Sequence, residues 1–280
     1  MSSFCSVQFH DDAAALAEQI PDGATLALPP SRSGAAMAVT RALLQQGAGG
    51  LHLVLVPSAG LQADVLIGAG KVAVIEGAGV TLDEFGQAPC FGRAVQAATI
   101  KLKDSTCPAV ISALQAGEKG LPFIPIRGLL GSDIERFRDD YQVIDNPFSE
   151  EPDPIVLLPA IVPDVALFHA PLADRLGNVW IGSNRELMLM AHAAKTTLVS
   201  VEEIVDEDLL ADPLRAPAVI PSLYISHLAR VERGAWPLPL PGSYLIDAGH
   251  LGQYARQAAT PEGFAEYLAA SDGPARAAAE

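Results

Sequence analysis

Cysteine is scarce in this sequence. Cys5, Cys90 and Cys107 stand alone among 280 residues, with no C-x-x-C pair and no Cys/His cluster. A disulfide framework and a structural zinc site are therefore not expected, and a reducing cytoplasm is the compartment that fits. Basic residues are also few: 18 Lys and Arg against 33 Asp and Glu, a formal net charge of −15. A nucleic-acid partner is not expected of such a chain, because gripping phosphates takes clustered cations. Long apolar runs are missing too. Pro, Gly or a charge interrupts each one well short of a membrane span. The opening MSSFCSVQFHDD has no basic segment followed by an apolar one, so it does not read as a secretion signal.

What the sequence does have is hydrophobic material, half of all residues, with only 18% charged. That is enough to bury a sizeable core. Short runs rich in branched and aliphatic residues recur: Thr25–Leu28, Leu51–Val56, Val72–Ile75, Ile155–Leu158, Val165–His169 and Thr196–Val201. They show little alternation, the mark of strands buried on both faces. Helical stretches lie between them, at Ala35–Leu44, Pro108–Ala116 and Glu186–Ala194, each after a Ser, Thr or Asn that can cap it. Strand and helix in alternation predict an open α/β fold, a mainly parallel sheet with helices on both faces. Ligands of such sheets sit at the carboxyl ends of the strands, so the loops after Leu28, Val56 and Ile75 are where a site is expected. The division expected is an α/β domain over residues 1–235, then a Pro-rich connector (WPLPLPG, Trp236 to Gly242) and a peripheral helical tail over 236–280.

Several places in the sequence bear on chemistry. Ser31, Arg32 and Ser33, in PPSRSG between a strand and a helix, either bind an anion or simply cap the helix; the loop is neither G-x-G-x-x-G nor a P-loop. The segment GLPFIPIRGLLGSD, Gly120 to Asp133, is too rich in Pro and Gly for a helix and reads as a long functional loop. Within it, the Arg127 guanidinium either forks onto a carboxylate or carbonyl of a ligand or ties the loop to Asp133 or another acid. His169 ends an apolar strand and reads as a hydrogen-bonded core histidine. Asp174 and Arg175 read as turn residues, and Glu202-Glu203 as a poor acid/base pair, since neighbours on a strand point oppositely.

GLPFIPIRGLLGSD, then LPAIVPDVALFHA (Leu158 to Ala170) with ADRLGN (Ala173 to Asn178), then VSVEEIV (Val199 to Val205) together resemble the α-type subunits of family I coenzyme A-transferases of the glutaconate CoA-transferase kind. The resemblance spans roughly Pro21 to Val205. It implies the fold of those enzymes, no tightly bound cofactor, coenzyme A as a substrate, and a β-type partner in a hetero-oligomer, α2β2, with the active site between the two. It implies acyl-CoA and carboxylic acid substrates and a substrate side lined by Ser31, Arg32, Ser33, Ser58, Phe85 (in LDEFG), Arg127 and Ser132. The reaction needs a carboxylate nucleophile, which in the two-subunit enzymes belongs to the β-type chain, after its second strand. Here Pro57-Ser58-Ala59-Gly60 stands at that place, without a Glu. Glu76, an acid near the end of a strand, is the alternative nucleophile within this chain. A branch of the same family opens cyclic ketone CoA esters in steroid breakdown, using a Glu ahead of the helix that leads to the GLPF-type loop. This chain has Ser105-Thr106-Cys107 there, with Asp104 as the nearest acid. A non-catalytic structural subunit is the third reading, since fold does not fix function.

Overall fold

A computed structural model describes residues 6–271. The strands are β1 Gln8–His10, β2 Thr25–Leu28, β3 Leu51–Leu55, β4 Val72–Gly77, β5 Lys101–Asp104, β6 Phe123–Ile126, β7 Gln142–Asp145, β8 Pro154–Pro159, β9 Val165–Asp174, β10 Val179–Trp180, β11 Thr196–Val205, β12 Val219–Ile220 and β13 His227–Arg230. The helices are α1 Ala13–Ala17, α2 Met37–Gln45, α3 Leu61–Gly68, α4 Pro89–Gln96, α5 Cys107–Glu118, α6 Asp133–Phe137, α7 Arg185–Ala193, α8 Ala248–Gln257 and α9 Pro261–Ser271.

The main sheet runs β1-β13-β11-β9-β2-β3-β4-β5, and every neighbouring pair along that path is parallel. The short strand β10 pairs antiparallel with β9, and β12 pairs antiparallel with β10. This is the open parallel α/β sheet that the alternating sequence predicts. Chain order runs outward from β2 through β3 and β4 to β5 on one side, and from β9 through β11 to β13 on the other. The order therefore reverses between β2 and β9. At such a switch point the two crossovers leave for opposite faces and open a crevice beyond the carboxyl ends.

Strand residues alternate between two cores. Leu26, Leu28, Leu53, Leu55, Val165 and Leu167 face the first core, with α2, α3, α8 and α9. Ala27, Val54, Val56, Ala166, Phe168 and Ala170 face the second, with α5 and α7. Each fully buried Leu or Val is worth about 1.5–3 kcal/mol of transfer free energy, so the two faces together supply the main drive to fold.

Two expectations need correcting. The stretch 120–133 is not one irregular loop. Its apolar half forms β6, which joins β8 and β7 in a separate antiparallel sheet, β6-β8-β7. Alternate β6 residues Ile124 and Ile126 pack on a third small core with Leu129, Val156 and Leu158, so a strand reading was available in the period of two. Ile155–Leu158, expected as a strand of the main sheet, belongs to this second sheet. The segment after residue 235 is not a peripheral tail either. Leu238 and Leu240 of the Pro-rich stretch are buried, and Leu251, Tyr254, Phe264 and Tyr267 of α8 and α9 complete the first core. The Ala-rich end, 272–280, lies outside the described residues. None of the described helices is long and apolar enough to cross a membrane.

Tyr254 locks α8 in place. It is fully buried, and its hydroxyl donates to Asp64 of α3 at 2.6 Å. Asp64, itself fully buried, also accepts from the backbone N–H groups of Phe91 and Cys90. The Tyr254→Phe substitution should lower stability by about 1–3 kcal/mol, because one acceptor site on a buried carboxyl loses its partner. Urea denaturation followed by circular dichroism measures this. An unchanged midpoint would mean that the two backbone donors satisfy Asp64 alone.

Candidate active site

Three loops meet at the carboxyl ends of β2, β3 and β4. The loop after β3 contains Ser58 and runs beside the loop after β4: Ala59 bridges Val80, with Ala59 N–H donating to Gly79 at 3.2 Å and Thr81 N–H to Ala59 at 3.0 Å. The loop after β2 presses onto both. The Ser31 hydroxyl sits so close to Gly60 that a Cβ there would lie 2.0 Å from it. Arg32 donates through Nη2 alone to both carboxylate oxygens of Glu84, in the short helical turn Asp83–Phe85, and its Nε lies 3.9 Å from Asp83. Phe85, in the same turn, packs on the first core. The Ser33 hydroxyl donates to Glu186 at the start of α7. Ser31, Arg32, Ser33, Ser58 and the Phe85 turn are thus brought to one end of the sheet.

The loop after β2 is fixed at the switch point by Gly34. The His169 N–H of β9 donates to the Gly34 carbonyl at 2.6 Å. Gly34 has φ +83°, and a Cβ on it would lie 2.1 Å from the His169 carbonyl oxygen, so no other residue fits. His169 is fully buried, as expected of a core histidine. Its ring spans two partners: Nδ1 to Ser200 Oγ at 2.8 Å and Nε2 to Glu202 Oε1 at 2.7 Å. Glu202 also accepts from Tyr244 Oη at 2.8 Å, Arg233 N–H at 2.8 Å and Gly234 N–H at 3.2 Å. Burial alone would raise the Glu202 carboxyl, but these donors outweigh it and hold the group below its ordinary value. Burial and the same carboxylate push the Tyr244 phenol up. Ser200, His169 and Glu202 have the order of a hydrolytic triad, yet Ser200 and His169 have no exposed surface. The set works as a support for the loop.

Two expected site residues lie elsewhere. Arg127 follows β6 on the small sheet, with 64% of its side chain exposed, and forks onto Asp153: Nε to Oδ1 at 3.1 Å and Nη2 to Oδ2 at 2.6 Å. Ser132 caps α6, its Oγ accepting from Glu135 N–H at 3.4 Å. Within this chain both are tied to the small sheet, and neither touches the loops after β2, β3 or β4. Asp174 also departs from expectation. It is buried, and it accepts from the backbone N–H groups of Leu176, Asn178 and Leu209 and from the Asn178 amide, so it builds the turn instead of solvating it. Cys107, the first residue of α5, is exposed.

Glu76 is placed for a structural task. It lies one residue before the end of β4, 4% exposed, on the face turned towards α5. Arg138 Nη2 holds its Oε1 at 2.6 Å; Lys103 Nζ and His52 Nε2 stand 3.3 and 3.1 Å from Oε2. Arg138 in turn forks onto Asp140, stacks 4.0 Å over the Tyr141 ring and donates to the carbonyls of Lys103 and Asp104. Burial would raise Glu76, but His52, Arg138 and Lys103 together hold it below the ordinary carboxylate range, and Asp140 is held lower still. A carboxylate so stabilised as an anion is a poor nucleophile. This cluster was not anticipated from sequence, because its members are scattered from position 52 to 141. The one local hint is the Lys101/Lys103 alternation on an edge strand.

The cluster gives stability a definite pH dependence. Glu76 and Asp140 have folded values below their unfolded ones, so their stabilisation is present above about pH 4 and is lost as pH falls through the folded values. Arg138→Met should cost about 3–5 kcal/mol at neutral pH, because it strands a buried carboxylate. The gap from wild type should narrow as pH falls to about 4 and Glu76 takes up a proton. Urea midpoints at the two pH values test this, and a gap independent of pH would assign the loss to packing.

Comparison with known proteins fits this geometry. A family model described as coenzyme A transferase matches residues 10–228. The chain is 33% identical over 230 residues to an uncharacterised protein of Archaeoglobus fulgidus, covering 81% of this chain but spanning only half of that protein. It is 31% identical over 236 residues to one of the subunits of the 3-oxoadipate CoA-transferase of Pseudomonas knackmussii, covering 81% and 80% of the two chains. It is 30% identical over 241 residues to the cholesterol ring-cleaving hydrolase IpdA subunit of Rhodococcus jostii, covering 83% and 81%. Among solved structures it superposes on glutaconate coenzyme A-transferase from Acidaminococcus fermentans with a TM-score of 0.87 at 25% identity, covering 94% and 88%. A variant of the decarboxylase AibA/AibB gives 0.83 at 28% identity, covering 95% and 98%.

Proposed function

The chain belongs to the coenzyme A transferase family, and from that premise we propose that it is the α-type subunit of an enzyme that moves coenzyme A between an acyl-CoA thioester and a carboxylic acid, its β-type partner supplying the nucleophile. One observation carries this reading: at the carboxyl ends of β2, β3 and β4 every glutamate among the described residues is held by a partner, and Asp83 of the loop after β4 lies 3.9 Å from Arg32. The loop after β3 offers Ser58. Glu84 is taken by Arg32, Glu186 by Ser33, and Glu202 by His169. Glu76 is neutralised on the sheet face.

In the reaction a partner glutamate attacks the thioester carbonyl and expels the CoA thiolate, leaving an acyl-glutamyl anhydride. The thiolate then attacks the glutamyl carbonyl, releases the first acid and leaves a glutamyl-CoA thioester. The acceptor carboxylate reverses these steps. This chain's part is to bind and orient. Ser31, Arg32, Ser33, Ser58 and Phe85 form its share of the wall, and Arg127 and Ser132 reach the substrate from the small sheet once the partner is bound. The expected assembly is an α2β2 hetero-oligomer, with coenzyme A as a substrate and no resident cofactor. The ring-opening hydrolase reading is the less favoured, because Ser105 is hydrogen-bonded to Tyr141, Thr106 caps α5, and no acid stands at 105–107.

Two measurements test this. The chain purified alone should transfer little CoA, and co-expression with a β-type subunit should yield a complex, weighed by light scattering, that transfers CoA between two acids. High activity of the isolated chain would overturn the reading and return attention to Glu76. Loss of acyl-CoA with ring opening and no acceptor acid would instead make the complex a hydrolase.

Arg127→Lys should leave the melting temperature almost unchanged, since solvent screens an exposed ion pair and little stability rests on it. It should lower turnover of the complex on the order of 10²-fold, because Lys keeps the charge and loses the fork. Normal turnover in an intact complex would leave Arg127 a surface tie to Asp153.

A further inference from the structure

A cavity of about 280 Å³ opens between α2, the end of α3 and α9, and reaches Lys71, just ahead of β4. It therefore lies away from the strand ends where the loops converge. Most of its wall is apolar: Met37 and Leu44 from α2, Val65 from α3 and Leu268 from α9. Met37, Arg41 and Leu44 fall on one face of α2, at the i, i+4, i+7 spacing of a helix stripe. A stripe facing an apolar space is expected to be apolar throughout. Here its middle position is an arginine.

Arg41 is the anomaly. Its Nη1 donates to the Trp236 carbonyl at 3.0 Å, and its guanidinium stands 5.7 Å from the Trp236 ring centroid. No carboxylate among the described residues pairs with it, and none pairs with Lys71, whose Nζ is turned to the Gln46 carbonyl. A guanidinium offers five N–H donors, and a half-buried one is ordinarily matched to an acid. Arg32 has Glu84, Arg127 has Asp153, Arg138 has Glu76 and Asp140, and Arg175 has Asp206, whereas the part-buried Arg93, like Arg41, is held by a backbone carbonyl. Burial lowers the Arg41 guanidinium from its ordinary value, with only the Tyr267 and Tyr244 phenols opposing, as expected of a cation withdrawn from water without a counter-ion. In a chain of net charge −15, two cations with no acid among the described residues paired to them, on the wall of one apolar cavity, form a local excess of positive charge.

We propose that this cavity is a second binding site that takes a small organic carboxylate with an apolar body, its head group meeting Arg41 and Lys71 and its body lying against Met37, Leu44, Val65 and Leu268. At the ~30 Å³ that one water occupies in the liquid, the space holds about nine non-hydrogen atoms, the size of a medium-chain or simple aromatic acid. The site does not depend on the transferase reading. It would stand equally in a hydrolase or a structural subunit.

Titration calorimetry of the full chain with hexanoate, and with hexan-1-ol as the neutral isostere, tests the proposal. Hexanoate should bind with a dissociation constant of about 1 mM or tighter, in keeping with so small a ligand. Arg41→Gln should weaken it about 10- to 100-fold, the range for a lost charged hydrogen bond, and hexan-1-ol should bind the wild type correspondingly weakly. Ala69→Met, which extends a wall residue into the space, should abolish binding, and it decides the matter if Arg41→Gln does not fold. Arg175→Gln, at an exposed ion pair away from both sites, should bind as the wild type does. Absence of binding to the wild type, equal binding of the alcohol, undiminished binding by Arg41→Gln or Ala69→Met, or an equal loss in Arg175→Gln would each overturn the proposal.

Discussion

The close approach of Gly34 to His169 is the constraint on which the strand ends depend. It brings the loop after β2 within 2.6 Å of β9 at the point where strand order reverses, and only a residue without a side chain permits it. What lies behind His169 is as important as the contact. The ring is clamped by Ser200 and Glu202 of β11, and Glu202 is clamped by backbone donors at Arg233 and Gly234 and by Tyr244. Gly234 is as restricted as Gly34: a Cβ there would lie 2.4 Å from the imidazole. The position of Ser31, Arg32 and Ser33 is thus inherited through hydrogen bonds from residues more than 160 positions away. Such a chain is satisfied at every buried polar atom, which makes it rigid as well as costly to break.

A different device joins the two sheets. The small sheet shares a core with α5, but five side chains of that core are buried and the rest, Ile124 and Ile126 among them, are only partly so. Beside it, Arg138 reaches from the segment between α6 and β7 to Glu76 in the main sheet, and Lys103 of the edge strand β5 meets both Glu76 and Asp140. An apolar contact would hold the sheets with less directional control. A forked guanidinium between two carboxylates sets angle as well as distance. On this view Glu76 acts as an anchor for the element that carries Arg127, so its effect on a substrate would pass through the placement of that sheet.

Much of the fold was legible in the sequence, for a definable reason. Strands such as Leu51–Leu55 and Val165–Asp174 are buried on both faces, and continuous apolar runs between capped helices specify them without help from tertiary context. Two regions were not legible. In Gly120–Asp133 the density of Pro and Gly masked the two-residue period of Ile124 and Ile126. After residue 235 the prolines suggested an exposed connector, while the signs of burial lay in Leu251, Tyr254, Phe264 and Tyr267, whose helical spacing is spread over two short helices. The loop residues Ser31 to Ser33 and Ser58 were legible from position alone, as neighbours of strand ends. The partners Glu84 of Arg32 and Glu186 of Ser33 were not, because contacts of long sequence separation leave no local signature. Arg41 gives no signal either, because in sequence it reads as an ordinary solvated residue of a surface helix.

The acids at the strand ends bear on why such a chain would work in a pair. A carboxylate that is to attack a thioester must be ionised, reachable and free of strong donors, since each charge-assisted bond it accepts lowers the electron density it can offer. Glu84, Glu186 and Glu202 fail on the last count, and Glu76 fails on the last two. Their bonds instead fix Arg32, Ser33 and His169, which are the groups that set the shape of the loop after β2. One carboxylate cannot serve both ends: releasing Glu84 would free Arg32, and releasing Glu202 would leave a buried imidazole without its acceptor. A surface whose glutamates hold its own loops can be a rigid wall for a reaction, and on the proposed reading the reacting group comes from the other side of the crevice.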